Sequence, residues 1–321
     1  MMIINKSKLE TKPTWKDSDV NRWADFIELY CIKEGSVSPS DIEDIFNDGD
    51  FDNTQRRGEE THLENANKQE NQINDYFRVI QYRVSECNGY YPFVIDEDNY
   101  MQVVDQLTDK HQVYLFLLLC ASISFMNQSD LHIFTSDFEK FCKLVMSLLL
   151  PAFAKVELFG TSRQAGTFKG NLKERIKTLA DLLHVRTTKD FDLSQKYERI
   201  SGGDNGIDIV YYIPIDKASI IPFGFAQCTC SHDKWVAKQI SVSEIDWRNI
   251  LNPLPPYPYY VFVPFSCHNA GGEFDNVIDI KAILIDRVRI VKLIGMNSDK
   301  SFQDCLTEQY QDIDLNSIYE S

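Results

Sequence analysis

The sequence predicts an α+β protein: a helical N-terminal domain followed by an α/β sandwich around a small mixed sheet. Three observations predict it. Up to about Phe153, apolar residues recur at helical spacing. After Pro151, short runs rich in Val, Ile, Tyr and Phe take over, bounded by Gly, Pro and Asp. The length, 321 residues, suits two domains of roughly 100–200 residues each.

The first helix is predicted over "DVNRWADFIELYCIKEG", where Trp23, Phe26, Ile27, Tyr30 and Cys31 share a face. Asp17 or Ser18 caps it and Gly35 stops it. "SPSDIEDIF" restarts a helix from Ser38 or Ser40. From Asn47 to about Gln72 the chain is polar and predicts a long loop. Ile73, Phe77, Ile80 and Val84 resume a helix, which Pro92 breaks. The run Val113 to Met126 is shorter than the ~20 residues a bilayer span needs and predicts a buried core helix, with no membrane contact. "SDFEKFCKLVMSLLLPAF" predicts a further helix, capped by Ser136 or Asp137 and halted at Pro151.

Beyond Pro151, "GNLKERIKTLADLLH" is an amphipathic helix with Leu172, Ile176, Leu179, Ala180 and Leu183 on one face. "GIDIVYYIPI" and "KASIIPFGFAQCTC" are strands joined closely enough, through Asp216 and Lys217, for an antiparallel hairpin. "DKWVAKQISVSEIDW" predicts a helix with Asp233 as its cap, and "PYYVFVPFS" an apolar strand. "NVIDIKAILIDRVRIVKLIG" supplies a strand, a cap at Asp286 and a last helix stopped by Gly295.

The formal net charge of −15 argues against broad nucleic-acid binding, which needs a basic surface to displace counterions. The acids gather toward the ends of the chain, whereas Phe159 to Lys189 is basic, so any phosphate contact would use that segment. The 8 cysteines lie at scattered spacings, mostly inside apolar segments, as buried thiols do. With no apolar leader in "MMIINKSKLETKPTWKD", a reduced, cytoplasmic setting is expected.

Three features of the second domain carry chemistry. Asp208 interrupts the apolar Gly206-Ile207-Asp208-Ile209-Val210, and Gln227 interrupts the next strand, Phe225-Ala226-Gln227-Cys228-Thr229. Lys234 and Lys238 follow, one helical turn apart. If the strands pair, a carboxylate meets an amide carbonyl at one end of the sheet, which is half a Mg²⁺ or Mn²⁺ site. A lysine ammonium beside it would act on the attacking water or the phosphate. Asp208 can also be read as a solvent-facing residue of a half-buried strand, and Asp204 as a turn residue or an outer ligand. Cys228, Cys230 and His232 alternate along a strand end, but the second half of a zinc tetrahedron is not evident. No phosphate loop, nucleophile elbow, H-E-x-x-H or dinucleotide fingerprint is present in the sequence.

The order G-x-D, then Q-x-T, then a lysine-bearing helix resembles the PD-(D/E)XK nuclease superfamily, over roughly Glu157 to Met296. That resemblance implies a restriction-endonuclease-like αβββαβ core and metal-dependent cleavage of DNA. The organisation it implies is a helical interaction domain over 1–153, a nuclease-like domain over 154–298 and an acidic tail over 299–321. By the same likeness Asp208 is the main metal ligand and Gln227 replaces the second motif's acid. Thr229 stands where the family's lysine belongs, and Lys238, or else Lys234, would supply the cation from the helix. Arg163, Lys169, Lys173, Arg175 and Lys234 would track the nucleic-acid backbone. The family's first helix carries an acid; Glu174 is the first candidate, but it lies about 200° around the helix from Leu172, away from the buried face. Similar uncharacterised bacterial proteins suggest anti-phage defence, with the helical domain binding a partner protein. The alternative is a nuclease-fold interaction subunit without catalysis.

Overall fold

The computed structural model describes residues 9, 13, 16, 19–48, 59–126, 131–160, 166–198, 205–242, 247–274 and 279–297. These form two compact units. One comprises described residues of 1–132 with 265–274; the other comprises those of 133–264 with 279–297.

In the first unit, α1 (Val20–Glu34) is followed by β1 (Ser36–Val37), α2 (Pro39–Asp48), α3 (Glu59–Glu86), β2 (Phe93–Ile95), β3 (Met101–Val103) and α4 (Asp109–Ala121). Gly35 ends α1 at φ +85°, a left-handed conformation that costs glycine little. The apolar stripe of α1 packs as its spacing predicts: Trp23 stacks on Tyr76 of α3 at 5.6 Å between ring centroids and meets Phe46 of α2 edge-on at 4.9 Å. Thr108 caps α4 by accepting from His111 N, while His111 Nδ1 accepts from Thr108 N. Every residue from Gln112 to Ala121 is buried, so α4 is the expected core helix. Among the described residues, no helix is long and apolar enough to cross a membrane.

Two features depart from the sequence expectation. The loop expected up to Gln72 is helical from Glu59, because its Glu, Leu, Lys and Gln residues are good helix formers that continue into the apolar stripe of α3. A three-stranded antiparallel sheet, ordered β1-β3-β2, sits among the helices. Its strands are two or three residues long, too short to show an alternating pattern.

The second unit is an α+β assembly on a five-stranded mixed sheet. Its elements are α5 (Leu131–Leu148), β4 (Lys155–Leu158), α6 (Leu172–Leu183), β5 (Arg186–Thr187), α7 (Lys189–Leu193), β6 (Ile209–Tyr212) and β7 (Phe223–Cys228). Then come α8 (Trp235–Lys238), β8 (Leu251–Asn252), β9 (Tyr259–Phe262), β10 (Ile283–Ile285) and a closing helix, Arg287–Met296. The strand order is β10-β9-β7-β6-β4; β7, β9 and β10 are parallel, and β6 is antiparallel to both its neighbours. The predicted β6–β7 hairpin pairs Ile209 with Ala226 and Tyr212 with Phe223.

All six residues of β7 are buried, as expected of a central strand covered on both faces. Phe223 and Phe225 point to one side, packing with Leu172, Ile176, Leu179 and Leu183 of α6 and with Trp247. By the two-residue period, Cys228 points to the other, where its thiol meets Cys142 of α5.

Helix ends also differ from expectation. The residue at the start of α1 is Asp19, whose side chain makes no capping hydrogen bond, and the expected caps Asp17 and Ser18 lie outside the described residues. α5 starts at Leu131, and Asp137 is a buried interior residue paired with Lys140 at 2.7 Å rather than a cap. α8 is one turn long and passes into a 3₁₀ turn over Gln239–Val242; Lys234, not Asp233, precedes it. The closing helix runs through Gly295 to Met296, while its cap is Asp286 as predicted, accepting from Arg289 N at 3.1 Å.

Candidate functional site

The β6–β7 pairing brings Asp208 and Gln227 into contact. Asp208 directly precedes β6 and extends its ladder: its N–H donates to Ala226 O at 2.9 Å and its carbonyl accepts from Phe159 N at 2.8 Å. With its backbone held on both sides, the side chain is fixed over the end of β7. Oδ2 of Asp208 accepts from Gln227 Nε2 at 2.8 Å and from the Cys228 N–H at 2.6 Å. The carboxylate is only 2% exposed, which overturns the solvent-facing reading. A charge buried this deeply is retained only where donors compensate its lost hydration, and two amide donors do so on one oxygen.

Gln227, 5% exposed, has its other amide end on Ser241: the Ser241 hydroxyl lies 2.8 Å from Gln227 Oε1 and 2.6 Å from the carbonyl oxygen of Lys238. Lys238 is therefore tied to the Asp208–Gln227 pair through its peptide group, and its side chain is half-buried at the end of α8. Thr229, also buried, accepts from Ser231 N at 3.3 Å.

Glu139, on a helix the sequence predicts but in a position it does not single out, exerts its charge on the thiols beside Asp208. Burial raises the pKa of the Cys142 and Cys228 thiols, and the charges of both Glu139 and Asp208 raise them further. Glu139, on α5, thus acts on the same thiol pair as Asp208. Its one sequence signal was its place on the helix preceding the first strand of the sheet. Glu174, by contrast, closes the capping box of α6: it accepts from Asn171 N at 2.8 Å and is exposed.

The remaining candidates are dispersed. Arg175 is buried, and its Nη1 donates to the carbonyls of Phe159 and Gly160, each at 2.7 Å, so its guanidinium holds the end of β4 to α6. Lys173 donates to Asp192 O and pairs with Glu198, both at 2.8 Å. Lys169 and Lys234 are exposed. Arg163 and Asp204 lie outside the described residues.

Among the described residues no three His, Cys, Asp or Glu side chains are grouped to hold a metal ion, Cys228, Cys230 and His232 included. What the site offers is one buried carboxylate and one amide carbonyl. That donor set is all oxygen and suits Mg²⁺ or Mn²⁺, which take one or two protein oxygens and complete their shell with water and phosphate. To present Oε1, the Gln227 amide must turn, because its NH₂ end now faces Asp208.

The thiols give a direct check on this packing. Alkylation follows the thiolate fraction and access. Burial, aided by the charge of Glu28, pushes Cys31 up to about 12, and burial also raises Cys142 and Cys228. Iodoacetamide at about pH 8, below the ordinary thiol value, is expected to leave all three unlabelled in the folded protein and to label them in urea. Peptide mass mapping reads the result; labelling of Cys142 or Cys228 at the unfolded rate would refute the buried placement.

No family model matches the chain, and no curated protein or solved structure matches it.

Proposed function

We propose that the second unit is a nuclease-type phosphodiesterase that uses Mg²⁺ or Mn²⁺ and cleaves DNA. The observation that carries this reading is the direct contact of Asp208 and Gln227 on adjoining strands, with the peptide of Lys238 joined to it through Ser241. The element order supports it. α5, β4, β6, β7, α8 and β9 form an α-β-β-β-α-β succession, interrupted by the additions α6, α7, β5 and β8. The helix that opens this succession carries Glu139.

Asp208 and the carbonyl of Gln227 would hold the cation, which supplies charge stabilisation at the phosphate and an acidified water. Asp208 keeps its carboxylate in place through the Cys228 N–H. Lys238 would orient the attacking water or neutralise charge building on the phosphate oxygens. Exposed Lys169 and Lys234 would contact neighbouring phosphates.

Supercoiled plasmid incubated with Mg²⁺ or Mn²⁺ tests this. Nicking is expected with either ion and not with chelator. Lys238→Ala is expected to slow it by about a hundredfold, the scale of a general acid–base or charge-stabilising contact, with little change in thermal stability. Equal rates for wild type and variant would remove Lys238 from the site.

A second reading is a protein-interaction module on the same fold without catalysis. Two observations favour it: Thr229 occupies the expected lysine position, and Gln227 meets Asp208 with its NH₂ group rather than its oxygen. Absence of cleavage and of Mn²⁺ binding would decide for this module.

A further inference from the structure

The Gln227 amide sits between two groups with different demands. Its Nε2 donates to Asp208 Oδ2 at 2.8 Å, and its Oε1 lies 2.8 Å from Ser241 Oγ. Ser241 Oγ has a second acceptor, the Lys238 carbonyl oxygen, at 2.6 Å. A serine hydroxyl carries one proton and two lone pairs, so it can donate to only one of these acceptors at a time.

Two hydrogen-bond patterns satisfy these distances. In the first, Ser241 donates to Gln227 Oε1 while Gln227 Nε2 donates to Asp208. In the second, Ser241 donates to Lys238 O, and its lone pair accepts from Nε2 of a turned amide. Gln227 Oε1 then faces the Asp208 side. Both patterns keep the buried amide bonded at its Ser241 end. Without a cation the second sets an oxygen against a carboxylate oxygen and is disfavoured. With a cation between the two oxygens, that repulsion becomes shared coordination.

Local packing fixes the hydroxyl for this role. A Cβ on Gly206 would lie 2.6 Å from Ser241 O, 2.7 Å from its Cβ and 2.8 Å from its Oγ, and Gly206 adopts φ +84°. The glycine two residues before Asp208 thus admits Ser241 to its position, and a side chain there would displace it.

We propose that Ser241 is a positioning residue that allows the Gln227 amide to turn from a closed orientation, hydrogen-bonded to Asp208, to an open one that offers its oxygen to a divalent cation. This rests on the metal-site reading above. It separates Gln227 from a glutamate at the same position, whose two oxygens need no such turn.

The test is a double-mutant cycle on the full-length chain, with Mn²⁺ binding followed by electron paramagnetic resonance. Ser241→Ala is expected to weaken Mn²⁺ binding by about 10–100-fold, as loss of an outer-shell partner does. In a Gln227→Glu background the same substitution is expected to change binding by no more than about threefold, a coupling that contact alone between independent sites would not give. Ser241→Cys, close in size but a weak donor, provides the same comparison should the alanine variant unfold. Equal losses in the two backgrounds, or no loss in either, would overturn the role of Ser241 while leaving the metal site standing. Failure of both wild type and Gln227→Glu to bind Mn²⁺ would overturn the site itself, and the amide turn with it.

Discussion

Asp208→Asn is expected to remove Mn²⁺ binding and plasmid nicking together while leaving the fold nearly intact. The substitution keeps the shape of the side chain and one oxygen. That oxygen can still accept from Gln227 Nε2 and the Cys228 N–H, the two donors at 2.8 and 2.6 Å. The stability cost should therefore be about 1 kcal/mol, the net worth of weakening one charge-assisted hydrogen bond. Metal affinity should fall by more than about a hundredfold, because loss of an outer-shell partner alone costs up to that much and Asp208 would be a direct ligand. Asp208→Ala confounds the two effects. It strands a buried amide N–H and a buried side-chain NH₂, each worth about 1–3 kcal/mol when unsatisfied. Mn²⁺ titration, nicking of supercoiled plasmid and thermal unfolding, run on one preparation, distinguish chemistry from folding. Wild-type nicking by the asparagine variant would dismiss Asp208 as a ligand.

What could be read from the sequence was local or periodic. The stripe of Trp23, Phe26 and Ile27, the face of Leu172, Ile176 and Leu179, the β6–β7 hairpin and the Asp286 cap all follow from spacing within a few residues. Asp208 and Gln227 were legible because each is a polar residue inside an apolar strand, and an antiparallel hairpin brings such positions together. What was not legible depends on distant partners. Arg175 sits in a basic stretch that reads as a phosphate surface, yet the carbonyls of Phe159 and Gly160 draw it inside. Helical periodicity continues to Phe153, and nothing in it shows that α5 packs with the sheet and carries Glu139 there. Ser241 is one polar residue in a polar segment; only the turn after α8 and the approach of Gly206 make it a neighbour of Gln227.

The same limit hid the most highly charged interior of the first unit, where the second large effect is expected. Arg83 of α3 is fully buried, and its Nη1 lies 2.7 Å from Asp25 Oδ1 and 2.7 Å from Glu28 Oε1, both on α1. Its Nη2 donates to the Asn21 carbonyl at 2.9 Å, and Glu28 also accepts from the hydroxyls of Tyr91 and Tyr114, each at 3.0 Å. Asp25 and Glu28 are both buried residues of α1. Two carboxylates face one guanidinium, so removing the arginine leaves two charges in the core without their counter-ion. Arg83→Met is expected to destabilise the chain by about 3–5 kcal/mol in urea unfolding at neutral pH. The triple variant Asp25→Asn, Glu28→Gln, Arg83→Met should recover most of that loss, since it removes all three charges and keeps acceptors for the two tyrosines. A deficit below about 1 kcal/mol would show that Arg83 does not compensate these two acids.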